Sequence, residues 1–266
     1  MFKLITADER MARTRTAKMA IIGPPGVGKT SLLRTMDLAT TLFVDLEAGD
    51  LSVQDLEVAT IQPRTWQECR NLAVILGGPD ASLPDHAAYS AAHHKAILGQ
   101  TPAQEVEMLT GFKTLFIDSI TQAGRLCFRW SQQQPEAVSE RTGKPDVRGA
   151  YGLHAREMIG WLQHLQHIRD RNVVFVGILE RNQDDFGRAV WDIQMEGAKT
   201  GKELPGIVDE LLTMQFVQFE GDDKPSRVFV CQSDNPYGWP AKDRSGRLEM
   251  IEKPDLGEVL RKITQA

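Results

Sequence analysis

The sequence GPPGVGKT at residues 23–30 follows a short apolar run, and it constrains the fold more than any other feature of the chain. It matches the pattern G-x-x-x-x-G-K-[ST] at every fixed position, and this pattern forms a phosphate-binding loop between a strand and a helix. The glycines let backbone N–H groups turn towards phosphate oxygens, and the helix N-terminus adds positive potential. We therefore predict a strand at 19–23, a helix from the loop to about residue 40, and an α/β fold.

The same loop predicts the ligands, which are ATP and Mg²⁺. Lys29 is expected to reach the β- and γ-phosphates and to be catalytic, and the Thr30 hydroxyl is expected to bind Mg²⁺. The predicted nucleotide-binding residues are Gly23, Pro24, Pro25, Gly26, Val27, Gly28, Lys29, Thr30 and Ser31.

A second metal-binding carboxylate is expected at the end of a later apolar strand. Asp118 ends the predicted strand 112–118, so we expect it to hold Mg²⁺ together with Thr30. Ser119 follows Asp118, whereas one large group of ATPases has a glutamate there that activates water. The base that activates water in this chain therefore has to come from another strand.

Glu47 is the candidate for that catalytic base. It ends the predicted strand 41–47, and the carboxyl ends of strands in an open α/β sheet converge on the ligand. Glu47 is therefore expected to lie beside the γ-phosphate. Asp45, two residues earlier on the same strand, is the competing choice.

The remaining pattern alternates strands and helices. Further strands are predicted at 58–61, 173–179, 211–219, 227–232 and 248–251. The first of the other helices is predicted to begin with the capping box at Thr65 and to end at residue 78. Further helices are predicted at 101–111, from the end of the strand 112–118 to about residue 131, at 151–169, and near the end of the chain. We expect long loops at 132–149 and 181–206. This order predicts a mainly parallel sheet with helices on both faces and a C-terminal antiparallel ribbon.

Composition is that of an ordinary globular protein. Of the 266 residues, 41% are hydrophobic and 25% are charged, which excludes wholesale disorder and collagen-like repeats. The net charge is −5, so any nucleic acid has to bind a local basic patch. We expect one core domain at 19–266. It follows a locally basic segment at 1–18, either a strap onto a neighbouring subunit or a solvated terminus.

Cysteine usage and hydropathy predict the compartment. The three cysteines lie far apart and form no C-x-x-C pair, which is typical of a reducing environment. The N-terminus has no apolar signal segment, and the seven-residue apolar stretch at 173–179 is too short to span a bilayer. The prediction is a cytoplasmic protein without a membrane partner, in the bacterial host if phage-encoded.

Three motifs together carry a family resemblance. GPPGVGKTS, LFVDLEAGD and LFIDS, in this order and spacing, resemble the RecA-like core ATPases, and most closely the small phage ATP-binding proteins that consist of a RecA core alone. The likeness covers most of residues 18–250. It implies a single RecA-type P-loop domain, and it matches Asp45-Leu46-Glu47 to the family's D-x-E context for the catalytic glutamate.

The resemblance also implies two DNA-binding loops, at about 132–150 and 181–204. Cations in these segments are the DNA-binding candidates: Arg141, Lys144, Arg148, Arg181, Arg188, Lys199 and Lys202. Phe186 and Trp191 are candidate stacking platforms for bases. Counted with Glu180, the acids of the second segment outnumber its cations six to four, so it is no simple basic patch.

Two further roles follow from the resemblance. Glu180 or Asn182 is expected to act as the polar sensor that ends the strand before the second loop. Lys242 and Arg244 match the paired cations that reach into the ATP site of a neighbouring subunit, and they are therefore predicted to be catalytic. The alternative interpretation of this pair is surface charge on a turn.

Together these features predict an ATPase that is stimulated by DNA. We expect it to bind single-stranded DNA and to promote annealing or strand exchange in phage recombination, assembled as a ring or filament, with a single-strand-binding protein as a candidate partner. A helicase-like or loader translocating ATPase is one alternative. A nucleotide-switched regulatory protein without DNA is the other, and it needs neither a basic surface nor self-assembly.

Overall fold

The computed structural model describes residues 4–12, 14–184, 186–221 and 223–265, and in them ten strands form a mixed sheet. The strands are β1 (Lys18–Gly23), β2 (Thr41–Asp45), β3 (Ala59–Ile61), β4 (Thr114–Asp118), β5 (Asn172–Gln183), β6 (Ala189–Ile193), β7 (Glu210–Val217), β8 (Ser226–Val230), β9 (Lys242–Asp243) and β10 (Ile251–Glu252). Their order is β10-β8-β7-β1-β5-β4-β2-β3. In addition, β6 pairs with β5 and β9 pairs with β7.

The six strands from β7 to β3 in this order run parallel, and β1 is the second of them, between β7 and β5. Every residue of β1, β2 and β4 is buried, as expected for strands covered on both faces. Both β8 and β10 run antiparallel to their neighbours, so the predicted parallel sheet and C-terminal antiparallel ribbon are confirmed.

Helices cover both faces of the sheet. They are α1 (Ala7–Met11), α2 (Trp66–Gly77), α3 (Ala91–Leu98), α4 (Ala103–Gly111), α5 (Ile120–Ser131), α6 (Val147–Gln166), α7 (Ala198–Ile207) and α8 (Leu256–Thr264). One core contains Ala20 and Ile22 of β1 with α2, α5 and α6. The other contains Met19 and Ile21 with α8. Because successive side chains of a strand point to opposite faces, β1 contributes to both cores.

The prediction of an α-helix after the phosphate loop is wrong. Residues Thr30–Thr35 and Leu38–Thr40 form two short 3₁₀ helices instead of one α-helix to residue 40. The Leu32 amide donates to the carbonyl of Lys29 and the Met36 amide donates to that of Leu33, so these backbone hydrogen bonds span three residues, as in a 3₁₀ helix. The predicted capping box at Thr65 is confirmed at the start of α2.

Two segments contain helices or strands that the sequence did not predict. The segment 79–100, for which no element was predicted, includes α3, which Ser90 caps. The predicted loop 181–206 is a β-hairpin of β5 and β6 followed by α7. The hairpin has mixed polar and apolar residues because β6 is only partly buried. The helix α7 lacks a side-chain cap and contains Pro205, so neither had a clear pattern.

The N-terminal segment meets the sheet one residue earlier than predicted, because Lys18 already belongs to β1. The helix α1 buries none of its residues, and its role as a strap stays a prediction. In the described ranges, no helix combines the length and apolarity that crossing a membrane requires.

Candidate nucleotide-binding site

The phosphate loop lies at the carboxyl edge of the parallel strands. It leaves β1 at Gly23, and β4, which ends at Asp118, lies two strands away with β5 between them. A Cβ on Gly23 would overlap the carbonyl oxygen of Met214 on β7, so only glycine allows this close approach. Gly28 has φ of +93°, a left-handed conformation that favours glycine.

Lys29 is folded back onto its own loop. Its ammonium donates to the carbonyl oxygens of Gly23 and Pro24, each at 2.9 Å. Burial lowers the pKa of Lys29, and the nearby carboxylates of Asp118 and Glu47 oppose this change. The ammonium is thus held within the loop, where phosphate oxygens can replace the two carbonyl acceptors.

Thr30 and Asp118 meet as predicted. The Thr30 hydroxyl donates to Asp118 Oδ2 at 2.5 Å, which joins the start of the first 3₁₀ helix to the end of β4. Burial raises the pKa of Asp118 to about 6; the Thr30 hydroxyl opposes this shift, and Glu47 adds to it. A hydroxyl and a carboxylate are oxygen ligands of the kind that Mg²⁺ prefers, so this pair fits the metal. When bound, Mg²⁺ with ATP neutralises charge on the β- and γ-phosphates.

The two candidate bases differ sharply in their surroundings. Asp45 is 2% exposed, and its carboxylate accepts the amides of Glu47 and Gly49 and the side-chain amide of Gln62. It holds the turn after β2, and both of its carboxylate oxygens already accept hydrogen bonds. Glu47 is exposed and lies near Lys29 and Asp118. The geometry therefore favours Glu47.

Ser119 connects Glu47 to the helix that follows β4. Its hydroxyl donates to Glu47 Oε1 and accepts the amide of Gln122, so it caps α5 while holding the glutamate. Ser119, the residue after Asp118, is therefore not the acid itself, but its hydroxyl positions the carboxylate of Glu47.

A comparison with protein families matches residues 15–245 to the AAA domain. The chain belongs to the AAA domain family. A search of curated proteins finds no match. The broader part of the resemblance, an α/β P-loop ATPase domain, is confirmed. Its finer part, a phage annealing protein of the RecA-core type, stays a prediction.

The predicted sensor residues of this AAA domain are bound within the hairpin. The side-chain amide of Asn182 donates to Glu180 and Asp192, and Gln194 donates to Glu180 at 3.2 Å. Glu180 and Asn182 follow Ile178, which is the partner of Gly23 in the β1–β5 pair. They therefore lie on the part of β5 that continues beyond the end of β1. Their sensor role stays a prediction.

Lys242 and Arg244 lie at the opposite end of the strands. Lys242 pairs with Leu211 at the start of β7, which is the end at which β1 begins rather than the end with the phosphate loop. Its ammonium donates to the carbonyls of Pro205 and Val208, both at 2.7 Å. Arg244 pairs with Asp209 at 2.8 Å. The two cations are therefore distant from their own P-loop, and action on another subunit stays a prediction.

Beside these cations, Glu210 is a buried carboxyl group next to Asp243. Burial and the neighbouring Asp243 raise the pKa of Glu210 from 4.5 to about 8, although the amides of Arg244 and Ser245 donate to it. Glu210 therefore keeps its proton in the folded protein at neutral pH, whereas it loses the proton on unfolding.

This difference predicts how stability depends on pH. A raised folded-state pKa gives stability that is complete below pH 4.5 and is lost as pH rises to about 8. We expect the free energy of unfolding to fall by about 1.4 kcal/mol per pH unit across this window. Asp118, whose pKa is also raised, lowers the free energy of unfolding with rising pH in the same direction. Denaturant unfolding of wild type is therefore compared with that of Glu210→Gln, which removes only the contribution of Glu210. A slope unchanged in Glu210→Gln would contradict the assignment.

Arg227 is a site residue that sequence reasoning missed. It lies on β8, opposite Phe216 of β7, and its guanidinium donates to the carbonyl of Val27 at 3.4 Å. A Cβ on Gly28 would overlap its Nη1 atom. A cation thus lies directly over the phosphate loop of the same chain. The signal was absent from the sequence because it depends on β8 lying two strands from β1.

We expect Arg227→Gln to weaken ATP and ADP binding about tenfold or more, because hydrogen bonds to charged groups contribute about 1.5–3 kcal/mol. The measurement is equilibrium titration with a fluorescent nucleotide. Lys224→Gln is the matched control, since Lys224 is an exposed cation on the turn before the same strand. Equal affinity in Arg227→Gln and Lys224→Gln would leave Arg227 with a structural role only.

The DNA-binding candidates are exposed in both segments. Arg141, Lys144 and Arg148 lie between α5 and the first turn of α6. Arg181 and Arg188 lie on the hairpin, and Lys199 and Lys202 lie on α7. Phe186 is 82% exposed at the hairpin tip. Trp191 packs against the main core and Trp239, so it is not a free stacking platform.

Proposed function

We propose that this AAA domain hydrolyses ATP and couples hydrolysis to binding of single-stranded DNA, in annealing or strand exchange. The observation that carries the proposal is a continuous set of contacts from the candidate base to the hairpin of β5 and β6. Chains of packed and hydrogen-bonded residues of this kind can carry coupling between a reacting phosphate and a distant hairpin.

The link runs through the first turn of α5. Ser119 holds Glu47, and Thr121, two residues later, accepts the amide of Ile178 on β5 at 3.2 Å. The Thr121 hydroxyl also donates to the carbonyl of Gln194, just after β6, at 3.0 Å. These contacts give a shift of Glu47 on hydrolysis a route to both strands of the hairpin at its base.

The hairpin tip has the chemistry of a base-stacking contact. Phe186 presents an exposed ring, and the Arg188 guanidinium lies 5.1 Å from the centre of that ring. Aromatic rings stack on bases with little sequence preference, and arginine adds attraction for phosphate. Because Asp184 pairs with Arg188 at 3.0 Å, nucleic acid has to compete for this cation. The acids of the segment thus limit its affinity.

The test is the ATP turnover rate with and without an oligothymidylate, at low and high salt. DNA coupling predicts stimulation that fades as salt rises, because counterion release drives phosphate binding. Lys29→Ala is the inactive control. Turnover that DNA does not change at either salt concentration would favour the regulatory alternative. Strand displacement in a fuel-dependent unwinding assay would favour the helicase-like alternative.

A second prediction concerns the segment before α6. Replacing Arg141, Lys144 and Arg148 together by alanine should weaken binding to all single-stranded sequences alike, because phosphate contacts carry no base information. The slope of log affinity against log salt should fall by about 0.7 for each cation that had bound a phosphate. The measurement is fluorescence anisotropy across a salt series. Unchanged affinity and slope would remove this segment from the DNA-binding surface.

Assembly of several copies is part of the proposal. Lys242 and Arg244 lie away from their own P-loop. The Arg244 guanidinium is exposed but paired with Asp209, so a neighbour's nucleotide has to compete with that carboxylate for it. A ring and a filament both satisfy this geometry. A single-strand-binding protein is the candidate heterologous partner.

A further inference from the structure

A cavity of about 790 Å³ opens at the end of the sheet opposite to the phosphate loop. Its walls come from the residues before β1, the residues before β5, the start of β7 and the turn after β9. Five arginines line it, and we call it the arginine cavity: Arg10, Arg15, Arg169, Arg244 and Arg247. No single sequence motif predicts this cavity, because its five arginines lie in three distant parts of the chain.

The acids in the same walls do not balance this charge. Three line the cavity: Asp170, Asp209 and Glu210. Asp170 pairs with Arg171 at 2.9 Å, and Asp209 pairs with Arg244 at 2.8 Å. The third, Glu210, keeps its proton at neutral pH because burial raises its pKa.

The other arginines lack a counter-charge. Within the described residues, the guanidiniums of Arg10, Arg15 and Arg169 form neither an ion pair nor a hydrogen bond, and that of Arg247 donates only to the carbonyl of Lys262, at 3.4 Å. Like charges that converge around a cavity repel one another unless an anion lies between them. Their convergence is notable in a chain of net charge −5.

We propose that the arginine cavity binds phosphate groups at a site separate from the P-loop. The guanidinium fork matches phosphate oxygens, often with two parallel hydrogen bonds. The volume falls within the range of about 300–1,000 Å³ for pockets that take whole ligands, so it has room for more than one phosphate. The backbone of single-stranded nucleic acid supplies such a series of phosphates, and the triphosphate bound to a second copy is the other source.

The experiment uses the full-length chain with ADP and Mg²⁺ at concentrations that saturate the P-loop. Arg15→Gln/Arg169→Gln removes two exposed cations that take no part in the nucleotide site. Arg64→Gln/Lys95→Gln removes two exposed cations elsewhere and is the matched control. The probes are a labelled oligothymidylate, followed by anisotropy over a salt series, and inorganic pyrophosphate, followed by calorimetry.

We expect both probes to bind the Arg15/Arg169 variant about tenfold or more weakly than wild type, since hydrogen bonds between charged groups are involved. The salt slope for oligothymidylate should fall by about 0.7 per arginine. A loss for pyrophosphate with unchanged oligothymidylate binding would assign the site to a neighbour's triphosphate. Wild-type affinity for both probes, or equal losses in the control variant, would overturn the proposal. Wild-type affinity for both probes would leave ATP hydrolysis at the P-loop untouched, because hydrolysis is tested separately with Lys29→Ala.

Discussion

Replacing Glu47 by glutamine is expected to slow ATP hydrolysis by about 10²–10⁴-fold while ATP and Mg²⁺ still bind. Glutamine keeps the size of the side chain and can still accept the hydrogen bond from Ser119, but it has no negative charge with which to activate water. Because Glu47 is exposed, the substitution leaves the core intact. The measurement is single-turnover hydrolysis together with equilibrium nucleotide binding.

Two further variants separate the alternatives. Ser119→Ala should reduce turnover less than Glu47→Gln. It keeps the negative charge of Glu47 and removes only the hydrogen bond that holds the Glu47 side chain in place. Asp45→Asn should chiefly lower the free energy of unfolding, because Asp45 accepts two backbone amides in the turn after β2. If Glu47→Gln hydrolyses ATP normally while Asp45→Asn binds ATP without hydrolysing it, the base is Asp45.

Arg244→Ala is expected to lose about 10³–10⁵-fold in turnover, the contribution of an arginine supplied to a transferred phosphate. Mixing it with Lys29→Ala should restore part of the activity. Each variant lacks a different half of a site shared between two copies, so mixed assemblies contain some intact sites. The measurement is the turnover rate of the mixture against that of each variant alone.

Arg261→Ala is the matched control, because the Arg261 and Arg244 side chains are both 56% exposed and both pair with an acid. We expect it to be fully active. Co-assembly of the two inactive variants without any recovered turnover would rule out action between copies. Full activity of Arg244→Ala by itself would leave Arg244 as a surface charge.

The central strands and the meeting of Thr30 with Asp118, the two predicted Mg²⁺ ligands, could be predicted from the sequence, because local pattern determines them. The apolar runs of β1, β2 and β4 are continuous, and only burial on both faces allows that. A glycine-rich loop and an aspartate at strand ends then have to meet, as Thr30 and Asp118 do at 2.5 Å.

Contacts that depend on strand order could not be predicted. Arg227 lies 200 residues from Val27 in the chain, and only the pairing of β8 with β7 brings its guanidinium over the phosphate loop. The arginine cavity has the same origin. The sequence did not place Lys242 and Arg244 in the sheet. They lie at the end of the strands opposite to the phosphate loop, because β9 pairs with the first residues of β7.

The role of Ser119 was also out of reach. The sequence shows only that an acid is absent after Asp118. Whether the serine there caps a helix, holds Glu47 or does both depends on the turn between β4 and α5. The hairpin of β5 and β6 was missed for a related reason, since a partly buried β6 with polar residues lacks a clear alternating pattern.

The phosphate loop and Arg244 lie at opposite ends of the same parallel strands, and this gives the molecule a head and a tail. Copies that join through these two surfaces contact one another with different patches, so a closed two-fold dimer cannot use both. Such an assembly has a direction. In an open filament, one terminal copy would keep an unfilled nucleotide surface and the other would keep unoccupied arginines, so the two ends would grow differently. An Arg244→Ala copy would then stop growth at one end only.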